Sequence, residues 1–348
     1  MSGTSLDGLD IVYTRLSHPD PGGWSFELIG FQTYKYTGEL TEKIREAMEV
    51  SSVNLLLLDK EIGSFYAECV NDFIAKNGID KSEIDAIASH GQTIFHQPEK
   101  GLTVQIGCGS TLALKTGLKV INDYRTKDVI MGGQGAPLVP IGDFHLFRGQ
   151  AESFLNIGGI ANISFELNKE IIAFDICPGN LPLNKLAKVK GMEYDKNGEL
   201  ARTGEINFFL LDMLNELEYY GEAPPKSLGV EWLEQAFYPL LKFDKDIENN
   251  LRTVIEHEAV QIAQVLNSHA LQSVMISGGG ALNLFLIERI KHYFKGEIVL
   301  PSREIIEFKE ALIFAFLGAL YLEDTANCLS SVTGASRDVV GGVLHLPG

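Results

Sequence analysis

The sequence predicts an α/β protein of two domains, and three observations carry that reading. Short apolar, strand-like runs alternate with helix-period patterns along the chain, as in a sheet flanked by helices. The 348 residues exceed one ordinary domain, since about 150 residues per domain makes two the starting expectation. Glycine numbers 35, roughly 10% against an ordinary ~7%, and the glycines gather in knots beside the strand-like runs.

In order, Ser2–Tyr13 reads as a Gly-containing turn followed by alternating residues. From Val53 to Asn77 the residues Leu58, Ile62, Phe65, Tyr66, Cys69, Val70 and Phe73 recur at helical spacing, and Gly78 stands where a C-cap belongs. Ile84–Ala88 is a strand before His90-Gly91-Gln92-Thr93. The Gly/Pro-rich stretch within Asp128–Gly142 interrupts the pattern and supplies the best domain boundary. Phe154–Ile157 precedes Gly158-Gly159, Ile171–Phe174 precedes Asp175, and Val274–Ser277 precedes Gly278-Gly279-Gly280. Ala311–Leu322 is the longest apolar run, too short to span a bilayer and expected as a buried helix. A second change near Pro301–Phe308 suggests a return to the first domain. The expected domains are therefore 1–130 plus 305–348, and 131–304. Two similar turns, in Ser2–Tyr13 and Asn156–Phe165, are a weak sign of duplication.

Composition excludes several classes. The formal charge is −17, from 29 Lys and Arg against 46 Asp and Glu, with no long basic run, so neither nucleic acid nor an anionic membrane is an expected partner. Cys69, Cys108, Cys177 and Cys328 lie far apart with no C-x-x-C spacing, which indicates reduced thiols rather than a zinc site or disulfide framework. The N-terminal residues lack a secretory pattern, so the expectation is a soluble cytoplasmic protein.

Absent motifs narrow the chemistry. No G-x-x-x-x-G-K-[ST], strand-linked G-x-G-x-x-G, G-x-S-x-G or H-E-x-x-H occurs, which removes the P-loop, Rossmann, serine-hydrolase and zincin readings. Three Gly-rich turns remain. Gly3-Thr4-Ser5-Leu6-Asp7-Gly8 combines N–H and O–H donors with a carboxylate able to face a metal ion, against an ordinary Asp-Gly hairpin as the plainer reading. Asn156–Asn162 and Ser277–Asn283 are the others, and their glycines let backbone lie close to a nucleotide. Asp175, just before Pro178-Gly179-Asn180, could accept a proton from an attacking hydroxyl or water, or simply initiate a turn.

The order of these turns resembles the actin-like ATPase superfamily, which implies two RNase-H-like domains with ATP in an interdomain cleft. The residues go further. Met1–Asp10 (MSGTSLDGLD), Ser89–Thr93 (SHGQT), Gly132–Pro140 (GGQGAPLVP), Leu155–Asn162 (LNIGGIAN), Pro178–Asn180, Ser277–Gly280 and Ser331–Ala335 (SVTGA) resemble, across essentially the whole chain, the anhydro-N-acetylmuramic acid kinases. The resemblance implies an ATP- and Mg²⁺-dependent enzyme of peptidoglycan recycling. It would open the 1,6-anhydro ring with water and phosphorylate the 6-oxygen, giving N-acetylmuramic acid 6-phosphate and ADP. Asp175 matches the general base. Gly3, Thr4, Ser5, Leu6, Asp7, Gly8, Leu9 and Asp10 match the ATP phosphate segment, with Asp7 nearest the metal; Asn156, Gly158, Gly159, Gly278, Gly279, Gly280 and Asn283 complete the nucleotide set. His90, Gln92, Arg125, Asp128 and Glu310 are assigned to the sugar, with Arg125 suited to pair bidentately with its lactyl carboxylate. A homodimer is implied by the resemblance alone. Alternatives are a kinase of another anhydrosugar such as levoglucosan, or a non-catalytic ATP- or muropeptide-sensing protein.

The chain departs from the family pattern in four places. The pattern has a strand ahead of the Ser2–Ser5 segment; Cys177 stands for a usual Gly, Asn184 for a common acid and Val230 for a common Arg.

Overall fold

The computed structural model describes all residues except 4, 5, 7, 19–22 and 225. The chain forms two compact units, Met1–Phe147 with Phe308–Gly348, and Arg148–Glu307. The crossings therefore lie at residues 147/148 and 307/308 rather than at the expected 130/131 and 304/305. The Gly132–Pro140 stretch belongs to the first unit because its backbone is tied there: Gly133 N–H donates to Asp128 O at 2.9 Å and Gln134 N–H to Thr333 O at 2.8 Å.

The first unit begins with β1 (Leu9–Ser17) and β2 (Ser25–Tyr34), an antiparallel pair. Helices α1 (Gly38–Arg45) and α2 (Ser52–Asn77) follow. Ser51 caps α2 by accepting the Asn54 N–H, and Gly78 ends it in the left-handed conformation, as its sequence position predicts. Ile62, Tyr66, Ala67 and Cys69 form the buried stripe of α2 and pack with Ile94, Ile106, Leu112 and Val120. Those partners come from β4 (Gln92–Gln97), β5 (Leu102–Ile106), α3 (Gly109–Thr116) and β6 (Val120–Asn122), with the short β3 (Ile87–Ala88) ahead of them. Next come α4 (Thr126–Ile130) and α5 (Val139–Leu146).

The second unit carries β7 (Ser153–Ile157), β8 (Ile160–Leu167), β9 (Glu170–Pro178), α6 (Asn180–Val189), α7 (Glu199–Thr203), α8 (Phe208–Asn215), α9 (Val230–Trp232), α10 (Ile247–Ser268), β10 (Ser273–Ser277), α11 (Leu284–Tyr293) and β11 (Glu297–Val299). Its five-stranded sheet has the order β11-β10-β7-β8-β9. The strands β7, β8 and β9 form an antiparallel meander, while β10 and β11 run parallel to β7. This is the RNase-H-like arrangement. Its core joins Leu155, Ile163, Phe174 and Ile276 to Leu251, Val254, Ile255 and Ile262 of α10. Arg289 of α11 grips Glu256 of α10 through Nε at 2.9 Å and a terminal nitrogen at 2.7 Å, a paired fork that fixes the two helices.

Helix α12 (Arg303–Leu322) then leads, from Phe308 onward, back into the first unit, which ends with α13 (Ser330–Thr333) and β12 (Val343–His345). Glu310 thus lies inside a long helix, two turns from its start. Inside the first unit, Lys309 Nζ meets Asp143 Oδ1 at 2.8 Å, both nearly fully buried, which pins α12 to α5. All four cysteines are free and buried. No helix among the described residues is long and apolar enough to cross a membrane.

The first unit's strands fall into separate ladders, β1-β2, β12-β6-β3 and β4-β5. A groove of about 730 Å³ lies between β1 and β3, lined by Ile11, Tyr13, Ile87, Val70, Phe73 and Ala315 among others. Ser2 bridges Leu9 in antiparallel fashion, the Asp10 N–H donates to Met1 O at 2.8 Å, and Met1 itself lines the groove. Burial holds the Met1 ammonium down at about 6.

In the second unit Glu258 is buried, with neither carboxylate oxygen hydrogen-bonded among the described residues, and burial pushes its carboxyl well above the usual range. The unfolded chain releases this proton first, near the ordinary ~4.3. Stability is thus full below that value and falls as pH rises toward the folded pKa, by up to about 1.4 kcal/mol per unit. Glu258→Gln should flatten this slope in denaturant titrations between pH 5 and 7, and an unchanged slope would count against a neutral Glu258.

Candidate active site

In the first unit the sugar-assigned residues divide into two kinds. Arg125 donates to Gly135 O at 2.6 Å and to His90 Nε2 at 2.9 Å. A guanidinium only donates, so His90 Nε2 must accept and its Nδ1 must carry the proton. Nδ1 then donates to Gly91 O at 2.8 Å, with Ser2 O at 3.2 Å. Burial, and then the Arg125 charge, hold His90 well below its ordinary pKa. His90 is therefore a neutral strut for Arg125, both ring nitrogens occupied, and Arg125 keeps spare N–H groups for an anion.

Glu310 is half-buried on α12. Burial pushes its carboxyl up, while Lys309 and Arg125 draw it down. Arg125 and Glu310 together offer a cation and a proton-sharing acid, suited to a polar ligand carrying a carboxylate.

Gln92 and Asp128 are occupied differently. Gln92 is almost fully buried and its Oε1 accepts the Ser2 hydroxyl, whose oxygen also contacts Tyr36 Oη at 2.5 Å. Asp128 is fully buried; Oδ2 accepts the Gly135 N–H at 2.7 Å and Oδ1 the Thr333 hydroxyl at 2.7 Å. These bonds tie the Gly132–Pro140 loop to Ser331–Ala335. They give Asp128 a loop-holding role and Gln92 a role in anchoring Ser2. Thr333 and Ser2 were not singled out as functional side chains in the sequence. Their positions inside the SVTGA and MSGTS segments were the available signal.

Of the phosphate segment, Thr4, Ser5 and Asp7 lie outside the described residues, and with Asp7 the metal assignment. Leu6 N–H donates to Gly3 O at 3.4 Å. Gly8 has φ +152°, and a Cβ there would lie 2.4 Å from Tyr34 O, so only glycine lets the turn seat against β2. Leu9 is buried, and Asp10 Oδ1 accepts the Thr33 hydroxyl at 2.5 Å. Among the described residues no group of three or more His, Cys, Asp or Glu could hold a metal.

In the second unit the two remaining turns come together. A Cβ on Gly280 would lie 2.2 Å from Ile157 Cγ2, and one on Gly278 would lie 2.6 Å from Asn156 Oδ1. Gly158 and Gly279 are open by contrast, with nothing closer than 3.6 and 3.5 Å to a Cβ there. That exposed backbone fits the close approach of a nucleotide. The carbonyls of Gly158 and Gly159 accept from Asn180 and Leu181 at 2.9 and 3.2 Å, so they cap α6. Asn283 is buried and caps α11, its Oδ1 accepting the Leu286 N–H at 3.2 Å, which explains its place after the glycines without a ligand.

Asp175 lies within β9 instead of ending a shorter strand. Ala161 pairs with Cys177 and Asn162 with Asp175, which leaves Ile176 as the extra residue of a bulge. Burial pushes the Asp175 carboxyl up, opposed by a hydrogen bond from the Leu228 N–H to Oδ2 at 2.8 Å. Oδ1 carries no hydrogen bond within the described residues, so the geometry offers a raised-pKa carboxylate with one open oxygen. Cys177 is fully buried in the core and packs there. Asn184 lies half-buried on α6, and Val230 is exposed at the start of α9.

Comparison with known proteins places this geometry. The family model for anhydro-N-acetylmuramic acid kinase matches residues 1–347. A Shewanella amazonensis protein named anhydro-N-acetylmuramic acid kinase is 37% identical over 363 aligned positions, covering 98% of this chain and 96% of that protein. One of the same name from Bacillus cereus is 33% identical and covers 100% and 98%. Among solved structures, similarity extends to an activator of 2-hydroxyisocaproyl-CoA dehydratase from Clostridium difficile with bound ADPNP (TM-score 0.42, 12% identity, 87% of this chain and 92% of that one). It extends also to a hexokinase from Schistosoma mansoni with glucose (TM-score 0.41, 11% identity, 89% and 83%). Matched nearly end to end by the family model and by the Shewanella amazonensis and Bacillus cereus proteins, the chain belongs to the anhydro-N-acetylmuramic acid kinase family.

Proposed function

We propose that this protein is an ATP-dependent kinase of anhydro-N-acetylmuramic acid that hydrolyses the 1,6-anhydro bond and phosphorylates the 6-oxygen so released. The observation that carries the reading is Asp175, a half-buried carboxylate with one oxygen not hydrogen-bonded among the described residues, in a chain of this family. Asp175 Oδ1 accepts a proton from water as that water bonds to the anomeric carbon. The C1–O6 bond breaks, and O6 takes the γ-phosphoryl group as ADP leaves. The products are N-acetylmuramic acid 6-phosphate, ADP and the proton held by Asp175. Its raised pKa brings the base nearer working pH, where proton transfer is most effective.

The open backbone at Gly158 and Gly279 supports nucleotide binding in the second unit. Mg²⁺ bound with ATP would neutralise phosphate charge, and Asp7 is the carboxylate assigned to it. Arg125 and Glu310 are assigned to the sugar, with Arg125 on the lactyl carboxylate; His90, Gln92 and Asp128 hold the surrounding backbone and side chains in place. Levoglucosan has no carboxylate for Arg125 to meet, so the arrangement favours the muramic compound.

Removal of the base should be severe: Asp175→Asn is expected to lower kcat by about 10²- to 10⁴-fold with ATP affinity retained, followed as ADP release. A variant turning over at the parent rate would remove Asp175 from the mechanism. Arg125→Ala should raise KM for anhydro-N-acetylmuramic acid by about 10- to 100-fold, the worth of a charge-assisted pair. The same assay with levoglucosan separates the readings, since an equal loss on both sugars would reject the carboxylate contact.

A further inference from the structure

Every backbone and side-chain polar group of Asp175 except Oδ1 is met by one segment of the second unit. Asp175 N–H donates to Lys226 O at 3.2 Å. Its carbonyl accepts the Tyr219 hydroxyl at 2.6 Å, and Oδ2 accepts the Leu228 N–H at 2.8 Å. The segment also closes on itself, because Lys226 Nζ donates to Tyr219 O at 2.9 Å and lies 4.5 Å from the centre of the Tyr219 ring. Tyr219 is buried, its ring 5.6 Å from that of Trp232. A bulged strand has lost part of its ladder and is free to twist. Here the missing constraint is supplied from outside the sheet, by a loop whose contacts converge on one residue.

We propose that Tyr219 is a positioning residue for the reaction: with Lys226 it locks the loop over the β9 bulge, so that the Leu228 N–H holds Oδ2 and Oδ1 alone is presented to water. This rests on the reading of Asp175 as the base. A carboxylate gripped at one oxygen is restricted to rotations about a fixed axis, and a near-attack geometry is lost with displacements of about 1 Å. The same N–H opposes the effect of burial by favouring the ionised form.

The test compares Tyr219→Phe, Lys226→Met and Asp175→Asn in the full chain, with Mg·ATP and anhydro-N-acetylmuramic acid over pH 5–9. Tyr219→Phe keeps the ring and its packing, and its folding is checked by thermal melting. The expected result is a roughly tenfold fall in kcat, smaller than that for loss of the base, with both KM values within about twofold of the parent. The acid limb of the kcat profile should also move to higher pH, because a loosened Leu228 N–H no longer offsets burial. Lys226→Met should shift both quantities in the same direction. Parent-like kcat and acid limb in Tyr219→Phe, with Asp175→Asn inactive, would overturn the positioning role while leaving the base in place. A fall in kcat with an unmoved acid limb would also overturn it, since packing alone explains that outcome. Parent-like turnover in Asp175→Asn would instead remove the base reading itself.

Discussion

The bulge at Ile176 is the constraint on which the candidate chemistry depends. In a regular strand Asp175 and Cys177 would share a face, and a face that buries Cys177 completely would bury the acid with it. The extra residue breaks that parity: Ile176 and Cys177 are fully packed, whereas Asp175 remains only half-buried. Breaking parity also removes ladder hydrogen bonds, and the chain must replace them. It does so with Tyr219, Lys226 and Leu228, so the feature that exposes the acid also creates the need for the loop that orients it.

A similar trade governs the first unit. The protein has a formal charge of −17 while its proposed ligands are anions, so attraction has to be local. Arg125 supplies a cation. Its hydrogen-bond partners are a carbonyl and a neutral imidazole, which orient the group without consuming its charge. Burial keeps that imidazole neutral, and Arg125 further disfavours its protonation.

The α/β class, the α2 helix with its Gly78 cap and the strands before Gly158-Gly159 and Gly278–Gly280 were legible because each rests on local periodicity or backbone conformation. The roles of Gln92, Asp128 and Asn283 were less so. A polar residue within a recognisable segment reads the same whether it touches a ligand or satisfies buried backbone, and only the partner distinguishes them. Asp128 accepts from Gly135 and from Thr333, 205 residues away, a pairing no spacing rule contains. The domain crossing shifted from 130 to 147 for a related reason. The Gly/Pro-rich stretch looks like a linker, but its N–H groups are engaged by Asp128 and Thr333. Tyr219 gave no signal at all, because its role exists only through the bulge.

The duplication suggested by the two Gly-rich turns can now be followed through the strands. The pair β1-β2 corresponds to β8-β9, and the parallel pair β3-β6 to β10-β11. In the second unit β7 lies between these pairs, bonded to both β8 and β10, and its end delivers Gly158-Gly159 as a turn anchored on two sides. The equivalent place in the first unit is the groove between β1 and β3. There Ser2 takes its position from its bridge to Leu9 and from its buried contacts with Gln92 and Tyr36. Ser2 is thus held largely by side chains, Gln92 among them, where Gly158-Gly159 follows a strand bonded to both its neighbours.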